Sequence, residues 1–272
     1  MRADVTPEWA RSFLFVPGDR PDRFDKAGAT GADCVIIDLE DAVAPDAKAS
    51  ALAHALSWLA SGGNAVIRVN GVGTSWHDAE VAALADTDAV VMVPKAQSVD
   101  DLRAIAARLG GQRVIALVET ARGIRDADLV CAAPGVFRVA LGNVDLSTEL
   151  GVDPDSHVAL AYARGRLVIA SAAAGIAAPI DGVTTTLDSA DRLAADLAVT
   201  RELGFGGKLC IHPRQVGSVN QALRPTEAEL AWARLVMRSA GSGGVGVVDG
   251  AMVDPPVMAR AEGILARDPD SD

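Results

Sequence analysis

Aromatic residues are scarce in this 272-residue chain: four Trp, five Phe and one Tyr, 4% in all. The core must therefore be filled by Ala, Val, Leu and Ile. Valine-rich strands beside alanine-rich helices predict an α/β fold. Positive charge is also in deficit. There are 25 Lys and Arg against 36 Asp and Glu, a formal net charge of −11. That balance argues against a nucleic-acid or anionic-membrane partner, although a local basic pocket for a small anion remains compatible with it. The only three cysteines, Cys34, Cys131 and Cys210, lack the spacing of a metal site. An odd count, with two inside apolar runs, points to buried reduced thiols and a cytoplasmic protein. Long hydrophobic runs are missing too. The longest, near residues 168–180, contains Gly175 and Pro179 and is too short to span a bilayer, so the protein is expected to be soluble. No secretory leader is expected, because Asp4, Glu8 and Arg11 precede any apolar run.

What is present is a repeated alternation of strand and helix. Strands are expected over residues 12–17, 33–38, 65–70, 89–93, 114–118, over VFRVALGNVDL at 136–146 with Asn143 and Asp145 past its apolar part, near 178–181, and over 208–212. Helices are expected near 21–27, 45–60, 76–85, 98–109, 124–131, 158–174 and 188–203, and from Gln215 onwards. Eight such units of roughly 25–35 residues predict a (β/α)8 barrel. The alternative is an open doubly wound sheet, but no Gly-x-Gly-x-x-Gly turn follows the first strand. The barrel is expected to occupy residues 1–224. Residues 225–272 then hold a helix near 227–238, the flexible segment GSGGVG, a short hairpin or turn, a last helix and a disordered tail.

The run RVIALVETARG, 113–123, carries the first chemical signal. Its apolar, β-branched residues suit a strand buried on both faces. It ends in Glu119, a charge that is costly there unless something positive meets it. Active sites of this fold form at the carboxyl ends of the strands. The polar residues at those ends are Arg20, Asp38, Glu40, Asp41, Arg68, Asn70, Lys95, Glu119, Asn143, Asp145, Asp181 and His212. Each has a plainer reading as a helix cap, turn residue or structural ion pair, and His212 before a proline can simply close a turn. They come from different strands, and a barrel would bring them around one mouth.

Glu119 and Asp145, placed at neighbouring strand ends, suit a hard divalent cation such as Mg²⁺, which keeps water or substrate oxygens in its octahedron. The metal-free alternative is a network in which Arg68, Arg122 or Arg138 neutralises the pair. Arg68 must face an anion. Asp38 or Asp41 could orient it, with the rest of its fork left for a substrate oxygen. A cation and an arginine beside a carbonyl would stabilise an enolate.

Eight motifs occur in order: RSFLFVPGDRPDRFDKA, VIIDLEDAV, IRVNG, VPKA, ALVETARG, GNVDLSTELG, GFGGKLCIHPRQV and DGAMVDPPVMARAE. With them the chain, from about Ser12 to Ala266, resembles the citrate lyase beta subunit group of the HpcH/HpaI aldolase superfamily, which includes malyl-CoA and citramalyl-CoA lyases. The resemblance implies a (β/α)8 barrel, homotrimeric or hexameric, with Mg²⁺ as cofactor and a 3-hydroxyacyl thioester as substrate. It implies that Glu119 and Asp145 ligate Mg²⁺. Arg68 holds the thioester oxygen and the keto acid, Glu40 and Asp41 support that arginine, and Asp38 lies in the same substrate site. Arg20 and Lys26 contact the CoA phosphates. It further implies a C-terminal lid that closes over a neighbouring subunit and brings Asp254 as the catalytic acid or base; the bare sequence makes Asp254 a turn residue. One departure stands out, Asn143 where many relatives carry an acid.

The function so implied is Mg²⁺-dependent cleavage or formation of a C–C bond in a thioester such as malyl-CoA or citramalyl-CoA, yielding acetyl-CoA and a 2-keto acid. Alternatives within the same chemistry are the beta subunit of a citrate lyase complex acting on a carrier-bound citryl group, and a malyl-CoA thioesterase. A different class would be a non-catalytic ligand-binding barrel.

Overall fold

The computed structural model describes residues 6–111, 113–240, 247–248 and 251–267. Contacts divide the chain into two units, Met1–Ala222 and Leu223–Asp272. The first is a closed barrel of eight parallel strands, so the open-sheet alternative is excluded. The strands are β1 (Ser12–Pro17), β2 (Cys34–Asp38), β3 (Val66–Arg68), β4 (Val90–Val93), β5 (Val114–Val118), β6 (Val136–Leu141), β7 (Ile180–Asp181) and β8 (Gly207–Cys210). The helices are α1 (Phe24–Gly28), α2 (Lys48–Ala60), α3 (His77–Leu84), α4 (Val99–Arg108), α5 (Ala121–Arg125), α6 (Ala127–Cys131), α7 (Asn143–Leu150), α8 (Ala161–Ala174), α9 (Ala190–Glu202) and α10 (Pro213–Ala222).

Strand periodicity explains the interior. Side chains alternate across a strand, so every second residue points inward. Phe13, Cys34, Ile36, Val66, Met92, Ile115, Leu117, Ala140 and Leu209 form the buried barrel core. Continuing the same alternation, Cys34–Ile36 leads to Asp38, Val66 to Arg68, and Ile115–Leu117 to Glu119. The apolar layers thus end in a charged layer at the carboxyl mouth. Register keeps that layer level: Pro17 pairs with Asp38, Asp38 with Arg68, and Val118 with Leu141. At the opposite mouth the inward residue of β6 is Arg138, 1% exposed. Its guanidinium donates to the carbonyls of Pro7, Ala10 and Ala178, and burial pulls its pKa down to about 10.

Two helical segments depart from expectation. The helix after β5 is broken at Asp126 into α5 and α6. LGNVDLSTELG, expected as an extension of β6 and a loop, forms α7. Gly142 starts that helix and Gly151, at φ 69°, stops it in the left-handed conformation a glycine tolerates. Asp145 is therefore in the first turn of a helix, where a negative charge complements the helix dipole. The three cysteines are buried, and burial raises their thiols to about 11 or 12. No helix of the described residues is long and apolar enough to cross a membrane.

The second unit has α11 (Glu227–Ala240), a short antiparallel pair β9 (Val247–Val248) and β10 (Ala251–Met252), and α12 (Pro255–Leu265). Leu230, Ala233, Val236, Val253, Ala261 and Ile264 make its core, and the Arg260 guanidinium lies 4.9 Å from the Trp232 ring centre. The segment GSGGVG and the tail DPDSD lie outside the described residues.

Candidate active site

The mouth is organised by Arg68, whose residue is 8% exposed. Its Nε and Nη2 donate to the two oxygens of Asp38, each at 2.7 Å. This bidentate fork fixes the plane of the guanidinium. Nη1 is left for the mouth, 3.2 Å from Glu40 Oε2 and 3.4 Å from Asp41 Oδ2. The face of the group lies against Phe15, 4.9 Å from the ring centre. Burial opposes the charge, but the bond and charge of Asp38, with Glu40 and Asp41, raise its pKa further above the ordinary arginine value.

Asp38 was expected among the substrate contacts; in the structure its oxygens are taken up by the protein itself. Asp38 is 1% exposed. Beyond the two bonds from Arg68, its oxygens accept from the backbone N–H groups of Glu40 and Ala42. Each oxygen thus accepts twice and no edge is open. Asp38 orients Arg68 and shapes the turn that carries Glu40 and Asp41.

Behind this turn is a second buried layer. Lys48 Nζ donates to the carbonyls of Leu39 and Glu40 at 2.7 and 2.6 Å. Asn70 Nδ2 also donates to the Leu39 carbonyl, and Glu80 accepts from both the backbone and the side-chain nitrogen of Asn70. Asn70, expected at the mouth, is therefore used inside the scaffold.

Glu119 is 3% exposed. Its Oε1 accepts from the backbone N–H of Lys95 at 2.8 Å. Gly142 lies beside it because the Gly142 N–H donates to the Val118 carbonyl. A Cβ on Gly142 would overlap Glu119 Cβ and Oε2. Burial, then the charge of Glu40, outweighs the Lys95 bond, and with Asp145 adding to the repulsion the Glu119 carboxyl is raised to about 8. Thus Glu119, Glu40 and Asp145 are electrostatic neighbours, and Arg68 does not fully neutralise them. Arg122 and Arg138 do not offset this charge. Arg122 is a neighbour of Asp126 at 3.8 Å, and Arg138 is bound at the other mouth, so the metal-free network expected from three arginines is reduced to Arg68. Among the described residues, no group of three His, Cys, Asp or Glu side chains has the geometry to hold a metal ion.

Lys95 is the residue that sequence reasoning undervalued. Its φ of 51° makes it the non-glycine residue with left-handed backbone among the described residues. Such conformations persist where surrounding contacts hold them. Here the backbone N–H holds Glu119, while Nζ donates to Glu40 Oε1 at 2.9 Å. Nothing in Val-Pro-Lys-Ala marks the position as left-handed; a glycine would have.

The remaining expected residues separate. Asn143 bonds twice to the backbone of Val183, from Nδ2 to the carbonyl and from Val183 N–H to Oδ1. A carboxylate could not make the first bond, so Asn143 ties α7 to the chain after β7. Asp181 accepts from Arg164 Nε, Gly182 N–H and Thr200 Oγ1, and is fully buried. His212 Nδ1 accepts from the Arg214 N–H, closing the turn into α10. Arg20 pairs with Asp22 at 3.0 Å on the surface. Arg20, Arg23 and Lys26 line a cavity of about 710 Å³ with Phe15, Ile211 and His212. In the second unit, Asp254 is exposed and caps α12, accepting from the Val257 N–H at 3.0 Å.

The model of the HpcH/HpaI aldolase/citrate lyase family matches residues 11–213. A citrate lyase subunit beta-like protein of Mycobacterium tuberculosis is 37% identical over 269 residues, covering 96% of this chain and 95% of that protein. A (3S)-malyl-CoA thioesterase of Cereibacter sphaeroides is 33% identical over 269 residues, covering 94% of each. The crystal structure of CitE from M. tuberculosis with magnesium, acetoacetate and coenzyme A superposes with a TM-score of 0.80 at 35% identity, over 96% of this chain and 98% of that one. A citrate lyase beta subunit from the same organism, complexed with oxaloacetate and magnesium, gives a TM-score of 0.71 at 35% identity, over 80% of this chain and 99% of that one. A barrel with a charged carboxyl mouth, together with these matches over nearly the whole length, establishes that the chain belongs to the HpcH/HpaI aldolase/citrate lyase family.

Proposed function

We propose that the protein is a Mg²⁺-dependent carbon–carbon lyase acting on a 3-hydroxyacyl-CoA such as malyl-CoA or citramalyl-CoA, giving acetyl-CoA and a 2-keto acid. The carrying observation is the arrangement of Arg68 and Glu119: one guanidinium nitrogen faces the mouth beside a buried carboxylate whose negative neighbours leave it short of positive charge. That donor set fits a hard divalent cation. Glu119 and Asp145 would hold Mg²⁺ by oxygen, leaving the rest of its shell to water and substrate. Magnesium and keto acids in the related crystal structures support the same reading.

Lewis-acid polarisation of the substrate oxygens is the chemistry Mg²⁺ supplies when bound. The chain's own groups supply the rest. Asp38 holds the Arg68 fork, so Nη1, which donates to Asp41 and flanks Glu40, is the nitrogen directed at the thioester oxygen. In cleavage, the hydroxyl proton would pass to solvent water at the open mouth, the O–H electron pair would form the carbonyl of the 2-keto acid as the C–C bond breaks, and the C–C pair would pass to the acetyl thioester as an enolate. Nη1 of Arg68 stabilises the developing oxyanion. Asp254, delivered by the C-terminal segment of a neighbouring subunit in a homotrimer or hexamer, protonates the enolate carbon and acts as the base in the reverse direction. Glu40 and Asp41 flank Nη1 of Arg68 and fix its position. Arg20 and Lys26 take the CoA phosphates at the cavity beside β1 and β8, which requires Arg20 to leave Asp22. A cytoplasmic location is consistent with a CoA substrate.

The test is incubation of the purified protein with malyl-CoA and citramalyl-CoA in the presence of Mg²⁺. Release of glyoxylate or pyruvate with acetyl-CoA is expected; no turnover of either thioester would refute the proposal. The thioesterase relative supports a second reading, water attack on the thioester. Free malate with no glyoxylate would favour it.

A further inference from the structure

Three carboxylates, Glu40, Glu119 and Asp145, are electrostatic neighbours at the mouth, yet together they are not arranged as a ligand set. The side chain held apart is Glu40. Lys95 Nζ holds its Oε1 at 2.9 Å, and Arg68 Nη1 stands 3.2 Å from its Oε2. Oε2 is buried, and the arginine contact lacks hydrogen-bond geometry. Lys95 is also the residue whose strained backbone presents an N–H to Glu119 Oε1. One residue therefore grips both carboxylates and keeps them on separate partners.

We propose that Lys95 is a positioning residue that holds Glu40 off the divalent cation, so that only Glu119 and Asp145 ligate it and the remaining positions stay open for substrate oxygens. The inference rests on the metal site of the proposed function. A third carboxylate would bind the cation more tightly, since carboxylate count sets affinity at hard-cation sites. It would also occupy a position that catalysis needs. Arg68 alone would restrain Glu40 weakly, because its best edge is committed to Asp38. The strained backbone fits this role. With Lys95 in the left-handed conformation, the N–H and the ammonium reach different carboxylates from one residue.

The test compares Mn²⁺ binding by the native protein and Lys95→Met, using calorimetry and the water-proton relaxation enhancement of the bound ion. Methionine keeps the backbone N–H and the chain length and removes only the ammonium. The expected result is about tenfold tighter Mn²⁺ binding with fewer exchangeable waters on the ion. Lys95→Arg should restore native affinity and hydration. Lys95→Met combined with Glu40→Gln should remove the gain. If Lys95→Met does not fold, Lys95→Gln is read in the same way. Unchanged or weaker Mn²⁺ binding, or an unchanged water count, overturns the inference. Turnover plays no part in this readout. Loss of all thioester cleavage by the native protein would therefore sink the proposed function while leaving the Lys95 result to be judged by itself.

Discussion

Consider replacing Glu119 by Gln in metal-free protein. The Glu119 carboxyl is raised from 4.5 to about 8, by burial first and the Glu40 charge second. At ~1.36 kcal/mol per pKa unit, keeping it ionised costs on the order of 5 kcal/mol. The folded pKa lies above the unfolded one. The native state therefore binds the extra proton, and the stability linked to it is complete below about pH 4.5 and lost as pH rises through about 8. Glutamine cannot ionise, yet its carbonyl oxygen can still accept the Lys95 N–H. In EDTA, the stability difference between variant and native should thus grow from near zero at pH 5 to several kcal/mol in favour of the variant at pH 8.5. Adding Mg²⁺ at pH 8.5 should stabilise the native protein and leave the variant nearly unmoved. Urea unfolding across pH 5–9, with and without Mg²⁺, measures both. A variant whose stability tracks the native curve at every pH would refute the account of Glu119 as an uncompensated buried charge.

Four other outcomes follow from the same geometry. Below about pH 8, Mg²⁺ affinity should fall by about tenfold per unit, because the Glu119 proton must leave before the oxygen can ligate; calorimetry in two buffers of different ionisation enthalpy counts that proton. Arg68→Lys should lower kcat/KM by about a hundredfold with the fold kept, since an ammonium cannot make the Asp38 fork and face the mouth at once; activity equal to native would refute the assignment. Gly142→Ala should weaken Mg²⁺ binding by about tenfold or more, because its Cβ overlaps the Glu119 carboxylate while the backbone, at φ −89°, suits any residue; an unaffected Kd would show that Glu119 is not a ligand. Asp254→Asn should cut turnover by about a hundredfold and spare thioester binding, because asparagine still caps α12; oligomers mixing Asp254→Asn with Arg68→Lys subunits should regain activity only if the aspartate works across subunits.

The barrel was legible because eight apolar runs recur at an even period. β5 forms over the residues its Val-Ile-Ala-Leu-Val pattern predicts. What escaped detection was short or conformational. The helix α7 has eight residues between two glycines, too few for an apolar stripe to declare itself, so Asp145 was placed past a strand when it stands in a helix. Lys95 escaped because its signal is a backbone angle carried without glycine. Asp38 escaped in part: its position at a strand end was plain, but the four bonds that close its edges depend on turn geometry.

Glu119 at the end of β5 shows why such a site survives in a barrel. Alternation forces the inward residue of each strand end into one layer, so a charge placed there cannot turn away to solvent. The layer can then be stable only if cations enter it or protons remain on it. Arg68 is permanently charged and already committed to Asp38 along one edge, and Lys95 is committed to Glu40. The environment that raises the Glu119 carboxyl is therefore fixed by the packing of the other members of the layer. Under the proposed function, a substrate bringing oxygens in company with a divalent cation would complete a set of interactions that the folded chain leaves unfinished.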